Sequence, residues 1–252
     1  MAFFAKGSRT PAGDSGGQMT IIEHLSELRR RLVICLIAVG ACAVVAFIAY
    51  NPILKFLQDP YCDVVGPNGN CQFLATSVLD PFAIRLQIAT YGGLILAAPI
   101  VFWQLWRFVA PGLTSRERRY AVPFIVSSVL LFALGGFIAY LTFPKALDFL
   151  IHIGGTSLDV RPTPTKYLQL ILLMILAFGL SFEFPVFLVF LELVGVISSQ
   201  QLRRWRRWAI VGIVTFAAVI TPSQDPYSLF AMAVPMWVFY EASIAVGRVL
   251  KR

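Results

Sequence analysis

The chain has 252 residues, 58% of them hydrophobic and only 13% charged, with a mean hydropathy of +0.76. A soluble globular domain does not carry that balance, so the composition is that of an integral membrane protein. The net charge of +8 comes from short basic clusters between apolar runs and not from one solvated face, which argues against a nucleic-acid partner.

Residues 1–19 mix Gly, Ser, Pro and both charge signs without an apolar core, so they read as a disordered tail and not as a cleavable signal. A helix is expected to start at "TIIEHLSELRRRL", where Thr20 and Glu23 have capping-box spacing. Its residues Ile21, Leu25, Leu28 and Leu32 recur at helical intervals, giving a face that can rest on the membrane surface. Glu27 stands three and four residues before Arg30 and Arg31, in register for ion pairing. His24 is expected to serve packing in this helix.

Apolar runs long enough to cross ~30 Å of hydrocarbon occur near 32–50, 86–106, 121–143 and 167–197. Two more follow: 209–220, which makes only roughly 18 Å of helix, and 229–246, which carries Glu241. The expected fold is therefore an all-α membrane protein of six transmembrane helices, spanning residues 20–247, with a short last pair and a basic tail at 248–252. Six crossings put both termini on one side. Sixteen of the 21 Lys and Arg lie on that side or at its span ends, leaving Lys55, Arg85, Lys145, Arg161 and Lys166 opposite. The positive-inside rule then places both termini in the cytoplasm.

Cys35 and Cys42 fall inside the first apolar run, where a thiol behaves as a small hydrophobe. Cys62 and Cys71 bracket the polar segment "YCDVVGPNGNC", on the side that permits disulfides; spacing alone does not fix whether they bond. Between the second and third spans, Trp103 and Trp106 suit the interfacial belt, and Pro111-Gly112 ends the helix. Glu117 is the only acid among Arg116, Arg118 and Arg119.

The segments "HLSELRRRL" (24–32), "AAPIVFWQLWRFVAPGLTSRERR" (97–119), "FGLSFEFPV" (178–186), "TPSQDPYS" (221–228) and "AVPMWVFYE" (233–241) together resemble the TatC family, the polytopic receptor subunits of the twin-arginine protein translocase. That resemblance implies a cup-like bundle in the cytoplasmic membrane that binds twin-arginine signal peptides of folded precursors. It implies no catalytic activity and no cofactor, and export driven by the proton-motive force. It places the signal-contacting acids at Glu27 and Glu117, with Phe108 and Arg119 in the same patch, and Pro60 in an outer cap. It also implies that Glu183 faces a groove where single-span partners of the TatA and TatB type dock, and that the chain oligomerises within such a hetero-complex. Two departures stand out. The Cys62/Cys71 pair is not a general family feature, and "TPSQDPYS" is one residue longer than the usual pattern, which leaves the role of Asp225 open.

A carboxylate at bilayer depth costs ~2.5–3.5 kcal/mol on insertion scales, so Glu183 must find a partner, face an interior or take up a proton. Two readings stay open: a protonated Glu hydrogen-bonded to a nearby Ser or Tyr, and a polar contact for a partner helix. Glu192 is expected to snorkel, while Glu241 has no assigned role. Acids 183, 192 and 241 would also suit a relay in a proton-coupled transporter of small solutes. An intramembrane protease built on "GLSF" (179–182) lacks a His base in any span, and two His in the whole chain make a metal site improbable.

Overall fold

The computed structural model describes residues 21–65, 73, 77–109, 121–153, 155 and 162–250. Among these residues it contains helices and no strand: α1 (Ile21–Ile48), α2 (Tyr50–Val65), α3 (Asp80–Val109), α4 (Ala121–His152), α5 (Pro164–Ser181), α6 (Phe184–Leu193), α7 (Ser199–Arg204), α8 (Arg206–Ile220) and α9 (Pro226–Leu250). Five stretches have the length and apolar character to cross a membrane: α1, α3, α4, the α5–α6 pair and α9. α8 has 15 residues, roughly 22 Å of helix, and falls short. α9 is longer than its apolar run and continues three residues into the stretch read as a tail.

The segment at Glu27 leads straight into the first span, as α1 runs unbroken for 28 residues, whereas the fourth span differs from expectation. The single span expected over 167–197 breaks at Phe182-Glu183. Pro185 lacks an N–H and its ring crowds the carbonyl four residues back, so helical pairing falters there and resumes when Phe187 N–H donates to Glu183 O at 3.0 Å. The segment after the fourth apolar run is also structured: Ser198 caps α7 in a reciprocal capping box with Gln201.

Close packing follows the small residues. A Cβ on Gly93 of α3 would lie 2.7–2.8 Å from Ala43 of α1, so these two helices touch backbone to backbone. The main core gathers Ile88, Phe143, Tyr167, Leu168, Ile171, Phe178 and Met236 from α3, α4, α5 and α9. A second cluster joins Ala98, Phe102, Trp106, Phe124 and Val186 from α3, α4 and α6. Neither draws a buried residue from α1.

Pro60 lies inside α2 and removes the N–H that would pair with Phe56 O. The Tyr140 hydroxyl of α4 donates to that carbonyl at 3.0 Å, and the buried Tyr167 hydroxyl of α5 donates to the neighbouring Leu57 O at 2.7 Å. Two tyrosines therefore fasten α2 to the bundle through carbonyls at a proline kink.

Candidate functional site

The arginine-rich ends of α1 and α3 lie side by side. Arg31 follows Glu27 by one helical turn, and its Nε donates to Glu27 Oε1 at 3.1 Å while Nη2 donates to the same oxygen. Nη1 of Arg31 reaches Gln104 Oε1 on α3 at 3.4 Å. His24 stacks on Phe108 with ring centroids 4.4 Å apart, pinning the two helices one turn further along. The second carboxylate oxygen of Glu27, Oε2, is shielded from solvent and has no hydrogen-bond partner among the described residues. Such an oxygen pays for desolvation without a return, which favours capture of an incoming donor. The structure thus brings together Glu27, Arg31, Gln104, His24 and Phe108. Glu117 and Arg119 lie outside the described residues, as does Cys71. Cys62 is half-buried near the end of α2.

Below this patch, Trp106 departs from the interfacial position expected of it. It is buried, stacks on Phe124 at 4.7 Å, and its Nε1–H donates to Ser128 Oγ on α4 at 3.1 Å. Ser128 also lies beside Glu183, whose Oε1 is buried with no hydrogen-bond partner among the described residues. Trp106 of α3 and Ser128 of α4 therefore lead toward the carboxyl at the α5–α6 break. Trp103, by contrast, is exposed.

The other deep acids do not join it. Glu192 does not snorkel: it is 1% exposed, and neither of its oxygens has a partner among the described residues. Gly247 explains the placement, since a Cβ there would occupy the space of the Glu192 carboxyl, and only glycine leaves α9 room for it. Glu241 pairs with Arg206 and ties α8 to α9. Among the described residues no direct hydrogen bond links acids 183, 192 and 241. The Ser181 hydroxyl donates to Ala177 O at 2.6 Å, a helix back-bond and not a poised nucleophile.

At the opposite end, Asp225 is the residue before α9 and acts as its cap. Oδ1 accepts the Ser228 backbone N–H at 2.8 Å, and the Ser223 hydroxyl donates to Oδ2. In the same loop Gln224 has a φ of 49°, in the left-handed region.

A family model described as "Sec-independent protein translocase protein (TatC)" matches residues 23–235, most of the chain. The chain belongs to the TatC family. A TatC protein of Frankia casuarinae is 39% identical over 91% of this chain, which spans 66% of that relative's length. A TatC protein of Aquifex aeolicus is 35% identical over 93% of this chain and 97% of its own length. A crystal structure described as "Twin Arginine Translocase Receptor- TatC" matches with a TM-score of 0.74 at 34% identity, covering 91% of this chain and 100% of that one. The helical arrangement is therefore that of the TatC fold over about nine-tenths of the chain. Sequence reasoning missed Gln104, Trp106 and Ser128, whose partners lie on other helices. The one signal for Gln104 was its place four residues before Phe108, on the same helical face.

Proposed function

We propose that the chain is the signal-receiving subunit of a twin-arginine translocase, and that Glu27 and Glu117 accept the paired arginines of a precursor's signal peptide. The observation that carries this reading is the Glu27 carboxylate, steadied by Arg31 on one oxygen and unpartnered on the other. A guanidinium presents a planar fork of donors that such an oxygen can accept. Arg31 serves as an internal rival: it holds the carboxylate in place and must be matched by the visitor, which discriminates against a weaker donor. Phe108, stacked on His24, closes one side of the patch, and Arg119 lies in the same RERR segment as Glu117.

In this reading six helices cross the cytoplasmic membrane, with α8 as the short fifth crossing and both termini inside, as the distribution of arginines favours. The short α8 thins the bilayer locally. The signal's apolar segment buries itself against the bundle, since two charge-assisted bonds alone give weak affinity. Glu183, beside Ser128, organises the single-span TatA- and TatB-type partners, and the proton-motive force drives export within an oligomeric complex.

The test is photocrosslinking from positions 26 and 104, which flank Glu27 without replacing it, to precursors bearing Arg-Arg or Lys-Lys signals. Strong labelling of the Arg-Arg precursor alone is expected. Equal labelling of both removes Glu27 from the recognition role.

A further inference from the structure

At the arginine-rich end, α6, α7, α8 and α9 line an open cavity of about 390 Å³ that none of the roles above uses. Its lining is apolar and aromatic: Phe184 and Leu188 from α6, Leu202 from α7, Trp205 just before α8, Trp208 within it, and Tyr240 from α9. The Tyr240 hydroxyl, the polar group one would expect to reach into it, is already committed to Leu202 O at 2.7 Å. Nothing in the cavity wall calls for a polar guest.

Its sequence surroundings are the reverse: Arg203, Arg204, Arg206 and Arg207 each stand within two positions of Leu202, Trp205 or Trp208, none lines the cavity itself, and all four are exposed. Arg206 is bound to Glu241. Arg203, Arg204 and Arg207 form no ion pair among the described residues. No side chain caps the N-terminus of α8, so its first-turn N–H groups add positive potential at the same place.

We propose that this cavity is a binding site for one anionic phospholipid, with an acyl chain lying along Phe184 and Leu188 and the phosphate held by Arg203, Arg204 and Arg207. The chemistry divides as the site does. A partner transmembrane helix would use the apolar wall but leave the three charges unanswered. A zwitterionic lipid would answer them only in part, because its own cation repels the same guanidinia.

The experiment uses the full chain purified in mild detergent and delipidated, with dioleoylphosphatidylglycerol and dioleoylphosphatidylcholine as probes. Native mass spectrometry counts the retained lipid, and thermal unfolding reports its binding. Selective retention of one phosphatidylglycerol is expected. Two variants separate a built site from a general attraction. R203Q/R204Q/R207Q leaves the cavity open and weakens the anionic lipid about fivefold per guanidinium lost, on the order of a hundredfold in all. Ala209→Phe, at a lining position, keeps every charge and fills the cavity, and is expected to abolish the one-lipid adduct. Circular dichroism and gel filtration verify that both variants fold. Equal retention of the two lipids, or a one-lipid adduct that survives the filled cavity, overturns the proposal and leaves only annular lipid or partner-helix packing at this face.

Discussion

Replacing Glu27 by Gln keeps the size and shape of the side chain, removes its charge, and leaves an amide in place of the two carboxylate oxygens. In the native structure one of these oxygens is occupied by Arg31 and the other is vacant and shielded. If the vacant oxygen receives a signal arginine, the loss is one charge-assisted hydrogen bond, about 1.5–3 kcal/mol, or roughly 10- to 150-fold in Kd. Folding should scarcely change, because an i,i+4 pair of this kind contributes only about 0.3–0.5 kcal/mol. The assay is fluorescence anisotropy of a labelled signal peptide against the chain in nanodiscs, at several salt concentrations, with thermal unfolding in parallel. The expected outcome is a rise in Kd for the Arg-Arg peptide, an unchanged Kd for a Lys-Lys control, and an unmoved melting temperature. An Arg-Arg affinity within twofold of the native chain refutes the reasoning, since the vacant oxygen would then do nothing for the ligand.

Gly247→Ala puts a Cβ where the Glu192 carboxyl sits, so it should destabilise the chain by ~1–3 kcal/mol; adding Glu192→Ala should recover most of the loss in thermal unfolding. Tyr140→Phe strands Phe56 O and should cost about 1–2 kcal/mol, but in a Pro60→Ala background the restored N–H reclaims that carbonyl. A double-mutant cycle should therefore give a strong coupling between residues 60 and 140. Ser128→Ala leaves the buried Trp106 Nε1–H without an acceptor and should cost ~1–3 kcal/mol, a loss that Trp106→Phe in the same chain partly offsets, read from chemical denaturation.

How much of this was legible depended on whether a residue's partner was near in sequence. Glu27 and Arg31 lie one turn apart, so their pairing could be anticipated from spacing. The apolar runs announced α3, α4 and the short α8, because hydropathy needs no knowledge of neighbours. Trp106 was misplaced because an aromatic near a span end suits a lipid interface and a core equally well until Ser128, 22 positions away, is seen to accept its N–H. Glu192 was misplaced for a similar reason: the room that buries it is made by a glycine 55 positions downstream. Asp225 needed the loop geometry, since the left-handed turn at Gln224 is what brings its carboxylate onto the start of α9.

The attachment of α1 has a mechanical consequence. It is a rod of roughly 42 Å whose firmest seat is the Ala43–Gly93 crossing, about 24 Å from Glu27 and only about 8 Å from its far end. It adds no residue to either core, yet it is held along α3 from Ala46 on Gly92 and Ala43 on Gly93 to Arg31 at Gln104 and His24 on Phe108, so the two helices form one unit. A pull at the Glu27 end is therefore passed to α3, whose residues Ile88 and Phe102 sit one in each core, without any helix unfolding.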